Sequence, residues 1–425
     1  MRFPFVALAC ALAALVNQAS AQSAATPAPL TLAEAMRLAE SVHPAVRSRE
    51  AQRIAAEASR REAALPLFNN PELSLEQTRR RAAAPDARAN EWTVGIAQPI
   101  ETGGQQARRR DAAAAALDAL RAEIDDARRQ ARTEAARRFH AVLSAQRRVQ
   151  LEQRSVELFE GTAQAVERRR SAGEDTRLDA NVARVEAERA RNALASAREG
   201  LLDARSELGT ALQLPPSAVP ELAGELAPPA GERLPYDLEQ LLASAQARPL
   251  QRALAAREEA ARARVAVERA GRYPDVTVGL QVGREGPGVA RERVGTLTLS
   301  VPLPLFKRND AAIGQALAEA TQAEIERSVV ARDVQVQVRR LWGRLDSQRE
   351  RVQRLQRTVV STSADNRLLA AKSRQAGQIG LLDQLLINRQ ALDAERELND
   401  ALAEYHATRI ELEQAAGWSQ EGSIK

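Results

Sequence analysis

Two carboxylates, Asp179 and Asp383, end the same pattern, Ala-Gly-x4-Leu-Asp, once at 172–179 and again at 376–383. A carboxylate can hold a cation or move a proton, but no nucleophile, acid–base pair or ligand cluster accompanies either one. Each falls in the first turn of an expected helix, where a negative charge is stabilised by the backbone dipole. Other reactive side chains are scarce, with 3 His, 1 Cys and 2 Met in the chain. His43 precedes Pro44 and marks a helix break, with no second ligand at metal spacing. His140, His406 and Met36 are scattered along helical stretches and read as packing or surface residues. Gly103-Gly104 lacks the Lys-Ser/Thr of a phosphate loop and reads as a turn that re-aims the chain. The residues therefore argue against an enzyme, a metal centre and a bound cofactor.

The elements around these residues fall into two repeats. Strict alternation occurs twice in a chain that otherwise reads as helix. Trp92, Val94 and Ile96 share one face of a first hairpin (72–98). Val276, Val278, Leu280 and Val282, with Leu297, Leu299 and Val301, share one face of a second (274–301). Small and polar residues occupy the other faces. Period two means half-buried strands, and about 9 residues is the length that crosses a bilayer when tilted. Pro71 matches Pro274, Pro99 matches Pro302, and the Ala-Gly-x4-Leu-Asp patterns match each other, all at an offset of roughly 200 residues, so the chain is an internal duplication.

Each half reads helix, hairpin, long helix, helix. Thr31 and Glu34 form a capping box at the first helix. A long helix over 105–170 breaks at Ser171-Ala172-Gly173. Thr176 or Asp175 caps its partner, with Leu178, Val182 and Val185 on the inner face. In the second long helix, 309–373, Val334, Val338, Leu341, Leu345, Val352, Leu355 and Val359 step 4-3 with one gap at Gln348, a coiled-coil seam. The expected organisation is a signal peptide at 1–21, a first repeat at 22–213, a Pro-rich linker at 214–236, a second repeat at 237–417 and a tail at 418–425. Arg2, the apolar run 5–16 and Ala19-Ser20-Ala21 make the secretory signal. Cys10 lies inside it, where Ala7-Leu8-Ala9 sets leucine one residue off a lipoprotein cleavage pattern, so the mature chain carries no thiol.

The 61 basic and 56 acidic residues interleave at helical spacing, which describes salt-bridged solvated faces and argues against nucleic acid. Four strands cannot stand alone in lipid, because open edges leave backbone groups unpaired. If the hairpins enter a membrane, the chain must oligomerise. The rival is a periplasmic coiled-coil adaptor without a pore, but an adaptor would need spare strands to cover the apolar faces.

The duplicated plan, the two Ala-Gly-x4-Leu-Asp signatures and the Pro-rich middle resemble the TolC-type outer-membrane efflux family over the whole mature chain. Gln98–Gly104 (QPIETGG) and Val301–Asp310 (VPLPLFKRND) are similar to its CzcC-like branch, which serves heavy-metal resistance-nodulation-division (RND) pumps. The resemblance implies an α+β membrane protein in the Gram-negative outer membrane. Long antiparallel helical hairpins would form an α-barrel tunnel through the periplasm. The two β-hairpins would give four strands to a 12-stranded barrel shared by a homotrimer. It implies a periplasmic adaptor, an inner-membrane RND pump and outer-membrane lipid as partners, no cofactor, and a divalent metal cargo. The same channel could serve organic compounds or type I secretion.

The resemblance places the hairpin tips, 171–175 and 375–380, at the periplasmic entrance, where Gly173 and Gly377 would dock the adaptor. It makes Asp179, Asp383 and Asp175 candidates for an entrance gate, whose carboxylates in a threefold ring would favour cations. A second acidic position of the family is Leu386 here, so a double ring is not expected. Arg170 and Arg374, just before the tips, are expected to pair with Asp179 and Asp383 and hold the entrance closed.

Overall fold

The structure, a computed structural model, describes residues 29–81, 88–215, 218–227, 234, 236–286 and 291–418. The signal segment with Cys10, parts of the linker and almost all of the tail lie outside them. Two short helices, α1 (Leu32–Val42) and α2 (Pro44–Ala63), open the chain. Thr31 caps α1 in a capping box with Glu34. His43 is the N-cap of α2, and its Nδ1 accepts from the Ala45 amide at 3.3 Å. Strands β1 (Glu72–Arg81) and β2 (Arg88–Ile100) follow, then α3 (Gln105–Ser171) and α4 (Arg177–Ala211). The second half repeats the order with α5 (Leu238–Gln246), α6 (Pro249–Ala270), β3 (Val276–Glu285), β4 (Glu292–Ser300) and α7 (Asp310–Arg354). A π-helical turn (Leu355–Val360) joins α7 to α8 (Ser361–Gln375), and α9 (Leu381–Ala416) ends the described chain.

The fold is α+β, as expected from the alternation and the helical periods. The two hairpins are not separate: β2 pairs antiparallel with β3, giving one four-stranded sheet in the order β1-β2-β3-β4. Register sets Leu75 against Val94, Val94 against Val282, Ile96 against Leu280 and Leu280 against Leu297. Leu73, Leu75, Trp92, Val94, Ile96, Val278, Leu280, Val282, Leu297 and Leu299 thus share one face, and most are exposed, Leu297 at 75%. Among the described residues, no strand lies beside the outer edges of β1 and β4. No described helix is long and apolar enough to cross a membrane.

The helices leave the sheet from one end. At 1.5 Å per residue, the 67 residues of α3 reach about 100 Å. The main core lies at the waist, where Phe139 and Val142 of α3, Leu208 of α4, Leu241 of α5 and Leu402 and Leu412 of α9 meet the α7 seam. Val334, Val338, Leu341, Leu345, Val352 and Leu355 are buried, and Gln348 fills the expected gap, also buried with its Oε1 unpartnered. Val359 falls in the π turn and is 39% exposed, because the extra residue of that turn rotates the seam away from the core.

One expectation needs correction. The buried face of α4 is carried by Ala183, Ala187, Ala190 and Leu194, while Leu178 and Val185 are exposed at 70% and 51%. Small side chains let α4 lie close on α3 here, so Leu178 and Val185 are turned outward while Val182 packs against the buried cluster as expected. The described part of the Pro-rich linker is docked on the helices. Val219 and Leu226 are buried, Arg205 and Arg147 donate to their carbonyls, and Leu222 forms a parallel bridge with Leu30.

Candidate functional site

The end farthest from the sheet is built by two tight turns. After α3, Gly173 takes a left-handed φ of 81°, and after α8, Gly377 takes 72°. The Gly173 amide donates to the Arg170 carbonyl, and the Glu174 amide donates to that of Arg169. Gly377 and Gln378 repeat this on Arg374 and Ser373. Both are Schellman turns, in which glycine avoids the Cβ clash of the left-handed region. A Cβ added at either glycine would meet no atom within 4 Å, so the requirement is conformational and not steric.

Asp179 and Asp383 act first on their own helices. Asp179 accepts from the Thr176 hydroxyl at 2.6 Å and its amide at 3.0 Å, completing a capping box. Those two Thr176 hydrogen bonds, with the charge of Arg374 adding to them, hold the Asp179 carboxyl below its ordinary range. Asp383 accepts from the Gly380 amide at 3.1 Å. Gly380 has no side chain to return the bond.

The ion pair across the two tips is not the one expected from the sequence. Arg374 donates to Asp175 at 2.7 Å, and Arg169 reaches the same carboxylate at 3.2 Å. The Asp175 side chain is only 5% exposed. Arg170 instead binds Glu167 on its own helix at 2.6 Å. Arg170 faces outward one turn from Glu167, and the helix supplies its partner before the turn can. Sequence reasoning missed Arg169 and chose the wrong aspartate for Arg374. A signal was present: the second repeat has Ile379 where the first has Asp175, so only one tip offers an acid at that position.

Two more carboxylates of the first helical hairpin are held by arginines of α9. Glu186 of α4 binds Arg389 at 2.6 Å, and Glu152 of α3 binds Arg396 at 2.9 Å and Arg148 at 2.8 Å. Glu152 is 1% exposed. Burial pushes its carboxyl up, but the hydrogen bonds and charges of Arg396 and Arg148 outweigh that and leave it below its ordinary value. An apolar cluster of Val156, Phe159 and Val166 with Leu381, Leu385 and Leu392 fills the space between these pairs.

At the waist, His140 and His406 come together from distant sequence. Their rings stack at 5.0 Å beside a cavity of about 890 Å³ that Met36 also lines. Burial pushes His406 down to about 4 and lowers His140 as well. Among the described residues, no group of three or more His, Cys, Asp or Glu side chains is placed to hold a metal ion.

A family model described as outer membrane efflux protein matches residues 35–212 and again 241–418. The cobalt-zinc-cadmium resistance protein CzcC of Cupriavidus metallidurans is 29% identical over 188 residues, 44% of this chain and 41% of that protein. The match thus spans about two fifths of that relative's length. Among solved structures, the outer-membrane channel OprN superposes with a TM-score of 0.75 at 20% identity, covering 91% of this chain and 90% of that one. The outer membrane protein VceC of Vibrio cholerae gives 0.75 at 19%, covering 91% and 96%.

Proposed function

Because the chain belongs to the outer membrane efflux protein family, we propose that it is the passive outer-membrane conduit of a tripartite RND system that exports divalent heavy-metal cations. The observation that carries this reading is the sheet. Its apolar face is exposed and both of its edges are open, which no isolated protomer could tolerate in lipid. Three copies would close a 12-stranded barrel, above the minimum of about eight strands for a spanning barrel. The same threefold axis would gather the long helices into a periplasmic tunnel. An adaptor would dock on the tips around Gly173 and Gly377, and an inner-membrane pump would supply the driving force. The conduit itself hydrolyses nothing and uses no cofactor.

The tips are the natural gate. Arg374 ties α8 to the first hairpin through Asp175, and release of that bond would let α8 swing outward. Asp179 and Asp383 would then line the entrance as carboxylates and favour cations by focusing the local field. The metal cargo rests on the partial likeness to CzcC and on segments 98–104 and 301–310.

Deleting the gene and measuring growth across zinc, cobalt, cadmium, nickel and copper, with dyes and detergents in parallel, tests the cargo. Sensitivity confined to metals is the expected result. Sensitivity to organic compounds alone would overturn the cargo and keep the channel. Release of the protein from membranes by salt, without detergent, would overturn the channel and favour a pore-free adaptor.

A further inference from the structure

The sheet sorts its charges by face. Register sets Arg79 opposite Asn90, Trp92 opposite Arg284, and Arg284 opposite Arg293. By the period of two, Arg79, Arg284 and Arg293 lie on the apolar face, continuing the rows of Leu75, Val282 and Leu297. The carboxylates of the same region fall on the other face. Glu76, Glu91 and Glu285 line a polar concavity of about 260 Å³ there, and Glu292 shares that face by its pairing with Glu285. Arg80, which also lines that concavity, reaches Glu91 at 3.3 Å. By contrast Arg79, Arg284 and Arg293 are exposed, and no described carboxylate pairs with them. The pleat keeps these cations away from the acids a residue or two along the chain.

Their height on the sheet is equally specific. The helices that adjoin the strands, α2, α3, α6 and α7, all do so at the opposite end, so the arginines mark the end remote from the helices. Arg284 stands two residues past Val282, about 7 Å beyond the apolar band at roughly 3.3 Å per residue. Trp92 lies beside it, the residue type that settles at a bilayer's polar boundary. At that depth the penalty for an outward arginine has largely vanished.

We propose that Arg79, Arg284 and Arg293 form an outward belt that binds the phosphate groups of anionic lipid in the leaflet facing away from the cell. The proposal rests on the reading that the sheet spans the outer membrane. A guanidinium presents a planar fork that matches phosphate oxygens in pairs, and its apolar stem can lie along the band while the head stays at the lipid surface. An acid on the same face would neutralise the belt, and none of the described strand residues supplies one there. The threefold assembly would repeat the belt around the barrel.

The test uses the full chain reconstituted into phosphatidylethanolamine nanodiscs containing lipopolysaccharide with its lipid A phosphates intact or enzymatically removed. Lipid retained by the repurified protein is then counted by mass spectrometry. The wild type is expected to retain intact lipid about tenfold better than dephosphorylated lipid, and R79Q/R284Q/R293Q to lose that preference while still inserting. R79K/R284K/R293K keeps the charge and should keep most of the preference. If the triple glutamine variant fails to insert, R284Q alone should lower the preference by about threefold. Equal retention of both lipids by the wild type, or an unchanged preference in the glutamine variants, overturns the belt alone. Failure of the wild type to insert overturns the spanning reading as well.

Discussion

The two helical hairpins follow one plan and hold together differently. In the first, α3 runs unbroken for 67 residues, and Val156, Phe159 and Val166 are buried near its tip. In the second, a π turn divides α7 from a 15-residue α8 that buries Ala370 alone and leaves Leu368 and Leu369 each 60% exposed. The partner helix α9 sides with the first hairpin, through Leu381, Leu385 and Leu392 and through the arginines on Glu186 and Glu152. In the proposed gate, the first hairpin and α9 would therefore form a wall. Helix α8 would be a flap, hinged at the π turn and pinned at its end by Arg374 on Asp175. A duplicated sequence has been differentiated by changing packing on one side, not by changing the plan.

The comparison can be broken most severely at the wall. Glu152→Gln removes a buried charge from between two arginines and should cost about 3 kcal/mol, read as a lowered midpoint in thermal unfolding. Exposed Glu167→Gln should leave the midpoint where it is. A similar loss from both would mean that Glu152 does not clamp α9.

The left-handed turns come next. Gly377→Val and Gly173→Val should each cost about 1–2 kcal/mol through backbone strain. Export should fail in both while the assembled protein persists in the membrane. Loss of assembly would make the turns purely structural. Smaller still is Thr176→Ala, which removes one cap and should cost about 1 kcal/mol. The second hairpin has no equivalent to lose, because Gly380 stands there.

Acidification separates wall from waist. Folded His406 binds its proton less readily than unfolded His406, about 4 against 6.5, so stability should decline as pH falls through that window. Glu152 follows the same sign in a lower window: its depressed carboxyl stabilises fully above its unfolded value of 4.5, and that contribution disappears as pH falls below it. His406→Gln should flatten the upper part of the decline in unfolding midpoint with pH, and Glu152→Gln the lower part. Parallel curves for wild type and both variants would remove the two groups from the account.

Much of this was legible in the sequence because its signals are local. Alternation set the strands, the Thr31–Glu34 box and Pro44 set the first two helices, and Ala-Gly-x4-Leu-Asp marked both turns. The 4-3 seam on α7 was visible, including the polar gap at Gln348. Non-local facts were not. Pairing of β2 with β3 joins segments separated by most of a repeat. The choice of Asp175 over Asp179 depends on where two turns meet in space, and Thr176 had already claimed Asp179. His140 and His406 looked scattered because their stacking is produced by α3 packing on α9. The π turn was not read from the sequence, because its only local sign is the β-branched run Thr358-Val359-Val360, and Val359 still fits the heptad that the extra residue breaks.

Conductance across a planar bilayer, measured on the purified wild type, on Asp175→Ala/Arg374→Ala and on Arg170→Ala, tests the pinned flap most directly. Loss of the pin at about 3 kcal/mol would move a closed-to-open ratio by roughly a hundredfold. The expected result is a small conductance for the wild type and Arg170→Ala, and a large cation-preferring conductance for the double variant. Equal conductances in all three, or no pore in any, would contradict it.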